Sequence, residues 1–305
     1  MVAQVLGIRH YILRCGPPII TFVELASLEI RLSRSENLPV LPQAVSSVLR
    51  LADDPNCSPR QIAQCIERDP AITAKILRAA NSAYYGFSNV NTVGKAISFL
   101  GINSVKSLVV SVALQNMLAG RSLAPSFNKT EFWRHSLAVA TCSRILATIR
   151  MPFKAEELFC AGMMHDVGML VFDKFLGSEF EDCIRQAKHT NVPLERLEEQ
   201  MIGFSHAEVG GLLASKWGLP NLVKNAIQFH MTPLIDGDYY ETTSIVSLAN
   251  CLAHECGFHN SLPNVNYSID DAVMESVGVP REQLDIICPV VASEVERAQA
   301  MFQVK

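Results

Sequence analysis

Apolar residues recur every three to four positions along most of this chain, between helix-type start and stop signals, and strand-type alternation is nearly absent. Ser58-Pro59-Arg60-Gln61 combines an N-cap, a first-turn proline and a capping-box glutamine, which predicts a helix through about Glu67. Asp69-Pro70 repeats the device and predicts a helix over Ala71 to Asn81, with Ile72, Ile76, Ala79 and Ala80 on one face. Thr92 caps a short helix carrying Val93, Ala96, Ile97 and Leu100 and closed by Gly101. Asn103 or Ser104 then opens an apolar helix to about Met117, and residues 38–50 give another helix after their two prolines.

A Gly-Ser-Pro-Asn stretch from Gly120 to Lys129 reads as a linker between two helical lobes. Beyond it the pattern predicts helices at about 131–150, 155–172, 177–189, 193–201, 206–217, 221–230 and 242–256. Ser205-His206-Ala207-Glu208 is a capping box, matched by the stop signal Gly218 with Pro220. Residues 258–272 read as irregular, and two further helices follow, from Arg281-Glu282-Gln283-Leu284 and from Ala292 to Phe302. The fold class is all-α. The divisions are an amino-terminal extension (1–35), a first helical lobe (36–120), a second lobe (128–257) and a carboxy-terminal helical extension (258–305).

Composition narrows the partners. Of 305 residues 49% are hydrophobic and 18% charged, so a large core is expected and disorder is not. The net charge of −4 argues against nucleic acid, which needs a basic surface. Mean hydropathy is high at +0.19. Even so, no run reaches the roughly 18–20 apolar residues of a membrane span, the closest being Leu108 to Leu114, stopped by Gln115-Asn116. The first 36 residues lack the pattern of a signal peptide. Nine scattered cysteines with no Cys-x-x-Cys read as reduced, mostly buried thiols in a cytoplasmic protein.

The candidate chemistry centres on His165-Asp166, inside the apolar run Ala161 to Phe172. Burying an imidazole beside a carboxylate is costly unless something compensates both. A cation does so, since these are the usual nitrogen and oxygen donors to a borderline metal. His135, His206 and His230 also fall in helical segments. Taken singly, the pair reads as a helix-capping Asp beside a core His satisfied by a carbonyl, His135 as a core histidine, His206 as a first-turn residue and His230 as a helix-end charge.

Three blocks change that. Leu38-Pro39-Val40-Leu41-Pro42, the long block from Asp69-Pro70-Ala71-Ile72 through Ala80-Asn81-Ser82-Ala83-Tyr84-Tyr85-Gly86, and Ala96-Ile97-Ser98-Phe99-Leu100-Gly101 resemble the HDOD family, the HD-related output domain of bacterial signalling proteins. The resemblance covers about residues 36–230, and the second lobe looks like the HD phosphohydrolase superfamily. It implies a helical bundle holding metal through His135, the pair His165-Asp166, His206 and His230, with Asn250 where the superfamily has a late aspartate. Iron, manganese, zinc or nickel would suit such a site.

Two departures bear on activity. Asn250 is neutral where a carboxylate is expected, and Met169 stands where the catalytic HD-GYP branch has a lysine. The glycine-tyrosine-proline signature is absent, with Met231-Thr232-Pro233-Leu234 in its place. The resemblance therefore implies a non-catalytic signalling adaptor docking partner proteins, with a structural or vestigial metal pocket. The alternative is a metal-dependent phosphohydrolase acting on a nucleotide or cyclic dinucleotide, recruiting Arg134, Lys188 or Lys224 for phosphate. A nucleotide sensor without turnover is a third reading. His254 stands four residues after Asn250 and could substitute as a ligand, but reads as a surface residue with His10, His189 and His259. The cluster Tyr84, Tyr85 and Phe87 reads as packing between the lobes.

Overall fold

The structure, a computed structural model, describes residues 41–52, 56–82, 85–190, 192–262 and 269–302. The extension 1–35, His10 and Tyr84 lie outside the described residues. The first helices are α1 (Gln43–Ala52), α2 (Pro59–Glu67), α3 (Pro70–Ala80), α4 (Val93–Leu100) and α5 (Ile102–Met117). Their starts follow the sequence signals. Ser58 and Gln61 form the reciprocal capping box of α2, and the Asp69 carboxylate accepts the backbone N–H groups of Ala71 and Ile72 at the start of α3. The exception is α5, which begins directly after Gly101 with no side-chain cap. At the end of α3, the Asn81 side chain donates to the Val90 carbonyl (2.7 Å) and accepts the Val90 N–H (2.9 Å), closing the intervening loop. Phe87 stacks on Phe99 of α4 at 5.2 Å, so this aromatic packs within the first lobe, not between lobes as expected.

The second part runs α6 (Lys129–Arg150), α7 (Ala155–Met164), α8 (Val167–Phe175), α9 (Gly177–Thr190), α10 (Leu194–Met201), α11 (His206–Lys216), α12 (Asn221–Phe229) and α13 (Tyr240–Glu255). It ends with α14 (Asp271–Val277), α15 (Arg281–Leu284) and α16 (Ile287–Phe302). No strand occurs among the described residues, so the all-α expectation holds. No single helix among them is long and apolar enough to cross a membrane.

The central element is α6, packed by α7, α13 and α16 and buried on most of its circumference, with Phe132, Trp133, Leu137 and Leu146 in the core. Each such apolar side chain contributes on the order of 1.5–3 kcal/mol by leaving water. Residues 36–305 make one compact unit. Within it α5 lies on α7, where the Ser107 hydroxyl donates to Glu156. The stretch read as a linker is tightly tied to the second part. Asp173 accepts from the Ser122 hydroxyl and from the backbone N–H groups of Leu123 and Ala124, while Glu181 accepts from Ser126.

Three differences from the sequence reading stand out. The helix expected over 155–172 is interrupted at His165-Asp166, and a helix at Asp271–Val277 lies partly in the stretch read as irregular. Cys256 and Cys288 form a disulfide, with Cα atoms 5.1 Å apart, which corrects the reading of all cysteines as reduced. Residues 32 positions apart meet because the end of α13 and the start of α16 pack together.

Candidate metal centre

The break at His165-Asp166 is what makes the site. His165 keeps helical angles, but Asp166 sits at φ −94°, ψ 13°, and α8 restarts on a new course at Val167. Glycines flank the break and let neighbouring helices come close. A Cβ at Gly162 would lie 2.9 Å from the Ala140 Cα of α6, and one at Gly168 would lie 1.9 Å from the His206 carbonyl of α11. The close approaches bring the His135 helix and the His206 helix to either side of the pair.

Asp166 is the hub. Its Oδ1 lies 3.2 Å from His165 Nε2, 3.2 Å from His206 Nε2 and 3.4 Å from His230 Nε2, and its Oδ2 lies 3.6 Å from His135 Nε2. All five residues are buried. Their donor atoms fall into two sets, His135/His165/Asp166 and Asp166/His206/His230, each within 4.8 Å and sharing the carboxylate.

The other ring nitrogens fix the tautomers. His135 Nδ1 donates to the Phe258 carbonyl (2.8 Å), His165 Nδ1 to the Gly162 carbonyl (2.8 Å) and His230 Nδ1 to the Ile227 carbonyl (2.9 Å). A carbonyl only accepts, so each Nδ1 carries the hydrogen and each Nε2 a bare lone pair. His206 Nδ1 is held likewise by the Glu198 carboxylate at 2.7 Å. The four Nε2 atoms have no hydrogen-bond partner. Three such lone pairs, with His206 beside them, thus face one carboxylate in a buried pocket, an arrangement that is costly unless a cation lies among them.

The spacing suits a metal. Two donors each about 2.1 Å from one ion at near-tetrahedral angles stand about 3.4 Å apart, the separation seen around Asp166. The imidazole and carboxylate set matches a transition metal such as iron, manganese, zinc or nickel, and every imidazole has the oriented outer partner that ligating histidines take. The buried cluster could therefore bind a metal.

Electrostatics agree. Burial pushes His135 and His230 down to about 4, so both remain neutral donors. Burial opposes the Asp166 carboxylate, but His165, His206 and His230 outweigh it and hold it well below the usual range. Burial likewise opposes a charge on His206, yet Glu198 and Asp166 overcome it and raise its affinity for a proton well above the ordinary value.

Asn250 is buried on α13 with its Oδ1 unpartnered, and it lines a cavity of about 470 Å³ together with His230, Glu195, Ser247 and Asp270. His254, expected at the surface, is buried with its ring 4.7 Å from that of His135. His259 is half-buried and its Nδ1 lies 3.3 Å from His254 Nδ1, whereas His189 is exposed as expected. Arg134 lies over the Phe258 ring, and Lys188 reaches the Ser126 carbonyl. Two contributors escaped the sequence reading. Asn260 donates from Nδ2 to Asp166 Oδ2 at 2.8 Å, and nothing in its neighbourhood signals this. Glu198 had a signal: it falls on the buried face set by Leu194 and Leu197, where a carboxylate needs a partner.

The comparisons with known proteins agree with this architecture. The HDOD domain model matches residues 38–233. Over 224 residues, 71% of this chain, an uncharacterized protein of Treponema pallidum is 26% identical, and the chain spans 42% of that relative's length. Among solved structures, an HDOD domain protein of unknown function from Geobacter sulfurreducens superposes with a TM-score of 0.74 at 22% identity, covering 93% of this chain and 98% of its own. A protein of Marinobacter aquaeolei VT8, provisionally named for signal transduction, gives 0.77 at 21% identity, covering 92% of this chain and 65% of its own. A protein of Shewanella amazonensis SB2B, provisionally named a phosphohydrolase, gives 0.67 at 23% identity, covering 89% and 96%. With its family model matched over most of its length and its HD pair at a helix break, this chain belongs to the HDOD family.

Proposed function

We propose that this HDOD protein is a bacterial, cytoplasmic signal-transduction adaptor whose His/Asp cluster holds a transition metal as a tie between helices. His135, His165, Asp166, His206 and His230 would supply the donors, and Asn250, which lines the cavity that reaches His230, would add a neutral oxygen donor. When bound, the metal supplies charge compensation and cross-linking of α6, α8, α11 and the end of α12.

One observation carries the reading. The cavity reaching His230 and Asn250 is lined by Glu195 and Asp270, and its described lining contains no lysine or arginine. A phosphate ester approaching by that route would meet no lysine or arginine side chain to balance its charge, and the exposed Asp270 carboxylate would oppose it. Met169, fully buried, adds no charge where catalytic relatives of this superfamily hold a lysine. The protein's partners would be signalling proteins. The name given to the Marinobacter structure points the same way, while that of the Shewanella structure is the argument for a metal-dependent phosphohydrolase instead.

The test is metal analysis of the purified protein together with a hydrolysis screen over cyclic dinucleotides and nucleoside phosphates. Bound transition metal without turnover is expected. Turnover that disappears in His165→Ala and Asp166→Ala would establish the hydrolase instead.

A further inference from the structure

We propose that the Cys256–Cys288 disulfide is a redox lock on the metal centre, setting how tightly the cluster retains its ion; this rests on the metal-binding reading above. The position of the bond carries the argument. Cys256 caps α13, Gly257 turns the chain at φ +84°, and the next residues run directly over the cluster.

Three residues of that short segment hold it to the site. The Phe258 carbonyl accepts His135 Nδ1–H at 2.8 Å, which is what leaves the His135 Nε2 lone pair aimed at Asp166. Asn260 Nδ2 donates to Asp166 Oδ2 at 2.8 Å. The Ser261 hydroxyl oxygen accepts the backbone N–H of Asn128, the N-cap of the helix bearing His135. Residues 256–262 belong to no helix; backbone bonds from Gly257 and Phe258 to the end of α13 start the segment, and beyond them these contacts, buried Leu262 and the covalent anchor at Cys256 keep it in place. The anchor leads to α16, which packs on α6 and α13.

The two cysteines are half-exposed whereas the cluster is buried, so a reductant can reach the bond without entering the site. A dithiol reduces it in two exchange steps. The two dithiol sulfurs are oxidised to a disulfide, the Cys256–Cys288 bond breaks, and the two protons released end on the new thiols. The freed segment then holds His135 and Asp166 less firmly. Losing such outer partners weakens metal sites by about 10–100-fold. By reciprocity, bound metal makes the disulfide harder to reduce.

The experiment uses the full chain and cobalt(II), whose absorption bands report its coordination. Three forms are compared: oxidised wild type, wild type reduced by a dithiol and desalted without air, and the Cys256→Ser/Cys288→Ser double variant. Thiol titration and circular dichroism establish redox state and fold. Equal cobalt stoichiometry is expected, with release into excess chelator roughly ten-fold faster from the reduced and double-variant forms. If the double variant fails to fold, the reduced wild type makes the comparison. Equal release rates from loaded forms overturn this proposal alone, as does free Cys256 and Cys288 thiol in oxidised protein. Absence of cobalt from every form overturns the metal reading and this proposal with it.

Discussion

Glu198 holds His206 at two points: its Oε2 accepts the His206 backbone N–H at 2.8 Å and the ring Nδ1–H at 2.7 Å. The carboxylate is fully buried and its Oε1 has no partner. A half-satisfied buried carboxylate needs positive charge opposite it, which a metal bound at His206 Nε2 would provide. Glu198→Gln keeps the shape and removes the charge. It is expected to weaken metal affinity by about ten-fold and Glu198→Ala by up to about 100-fold, measured by competition with a chromophoric chelator. Unchanged affinity in both variants would separate Glu198 from the metal centre.

The metal-free protein is expected to be most stable near pH 6.5. His135 and His230 are pushed by burial from 6.5 to about 4, so between those values the unfolded chain binds protons that the folded one does not. Their contribution is complete above pH 6.5 and is lost as pH falls toward 4, at about 1.4 kcal/mol per imidazole per pH unit. His206 acts in the opposite sense. Glu198 and Asp166 outweigh its burial and raise it, so its contribution is present below 6.5 and is lost as pH rises through its folded value. Urea unfolding of chelator-stripped protein at pH 5.0, 6.5 and 8.0 measures both arms. A flat profile would contradict the buried neutral state of His135 and His230.

The helical frame was legible because its signals are local. Ser58, Asp69, Thr92 and Ser205 cap their helices as their side chains predict. The interruption at His165-Asp166 was half legible: Asp166 is a helix-capping residue type, but the run around the pair is otherwise apolar and carries no proline, and the Asp166 side chain turns to the histidines and makes no cap bond. Tertiary fit decides there: Gly162 against α6 and Gly168 against α11 fix two helix directions that no single straight helix satisfies. The five convergent donors were reachable through the family resemblance, whereas Asn260 and the Phe258 carbonyl come from a loop with no periodicity to read. His254 was misjudged because its helix α13 is buried around most of its surface, leaving no polar face to mark which residues point outward.

Thiol reactivity should divide along the same burial. Cys142 lies in the interior of α6, and burial pushes its thiol up to about 12, whereas Cys57 is half-exposed beside the α2 cap. The thiolate is the reacting form. Iodoacetamide at pH 8 is therefore expected to modify Cys57 within minutes and to spare Cys142 until the chain unfolds, as read by peptide mass spectrometry. Raising the pH from 7 to 9 should speed Cys57 labelling and leave Cys142 governed by global opening. Labelling of Cys142 on the Cys57 timescale would show that α6 is not the closed centre of the bundle.

Gly168→Ala tests whether close helix approach builds the site. The added Cβ would stand 1.9 Å from the His206 carbonyl oxygen and 2.9 Å from the Gly210 nitrogen, both backbone atoms that cannot rotate away. Overpacking usually costs about 1–3 kcal/mol, and a contact with rigid backbone on this scale belongs at or beyond the upper end. Relief requires α8 to move off α11, which carries Asp166 away from His206 Nε2, now 3.2 Å from Oδ1. The variant should therefore lose metal affinity along with stability. Met169→Leu, one residue further along the same buried helix, should cost under about 1.5 kcal/mol and keep the metal. Denaturant melts and chelator competition on both variants make the comparison. Intact metal binding in a destabilised Gly168→Ala protein would show that the α8–α11 contact supports the fold without positioning the ligands.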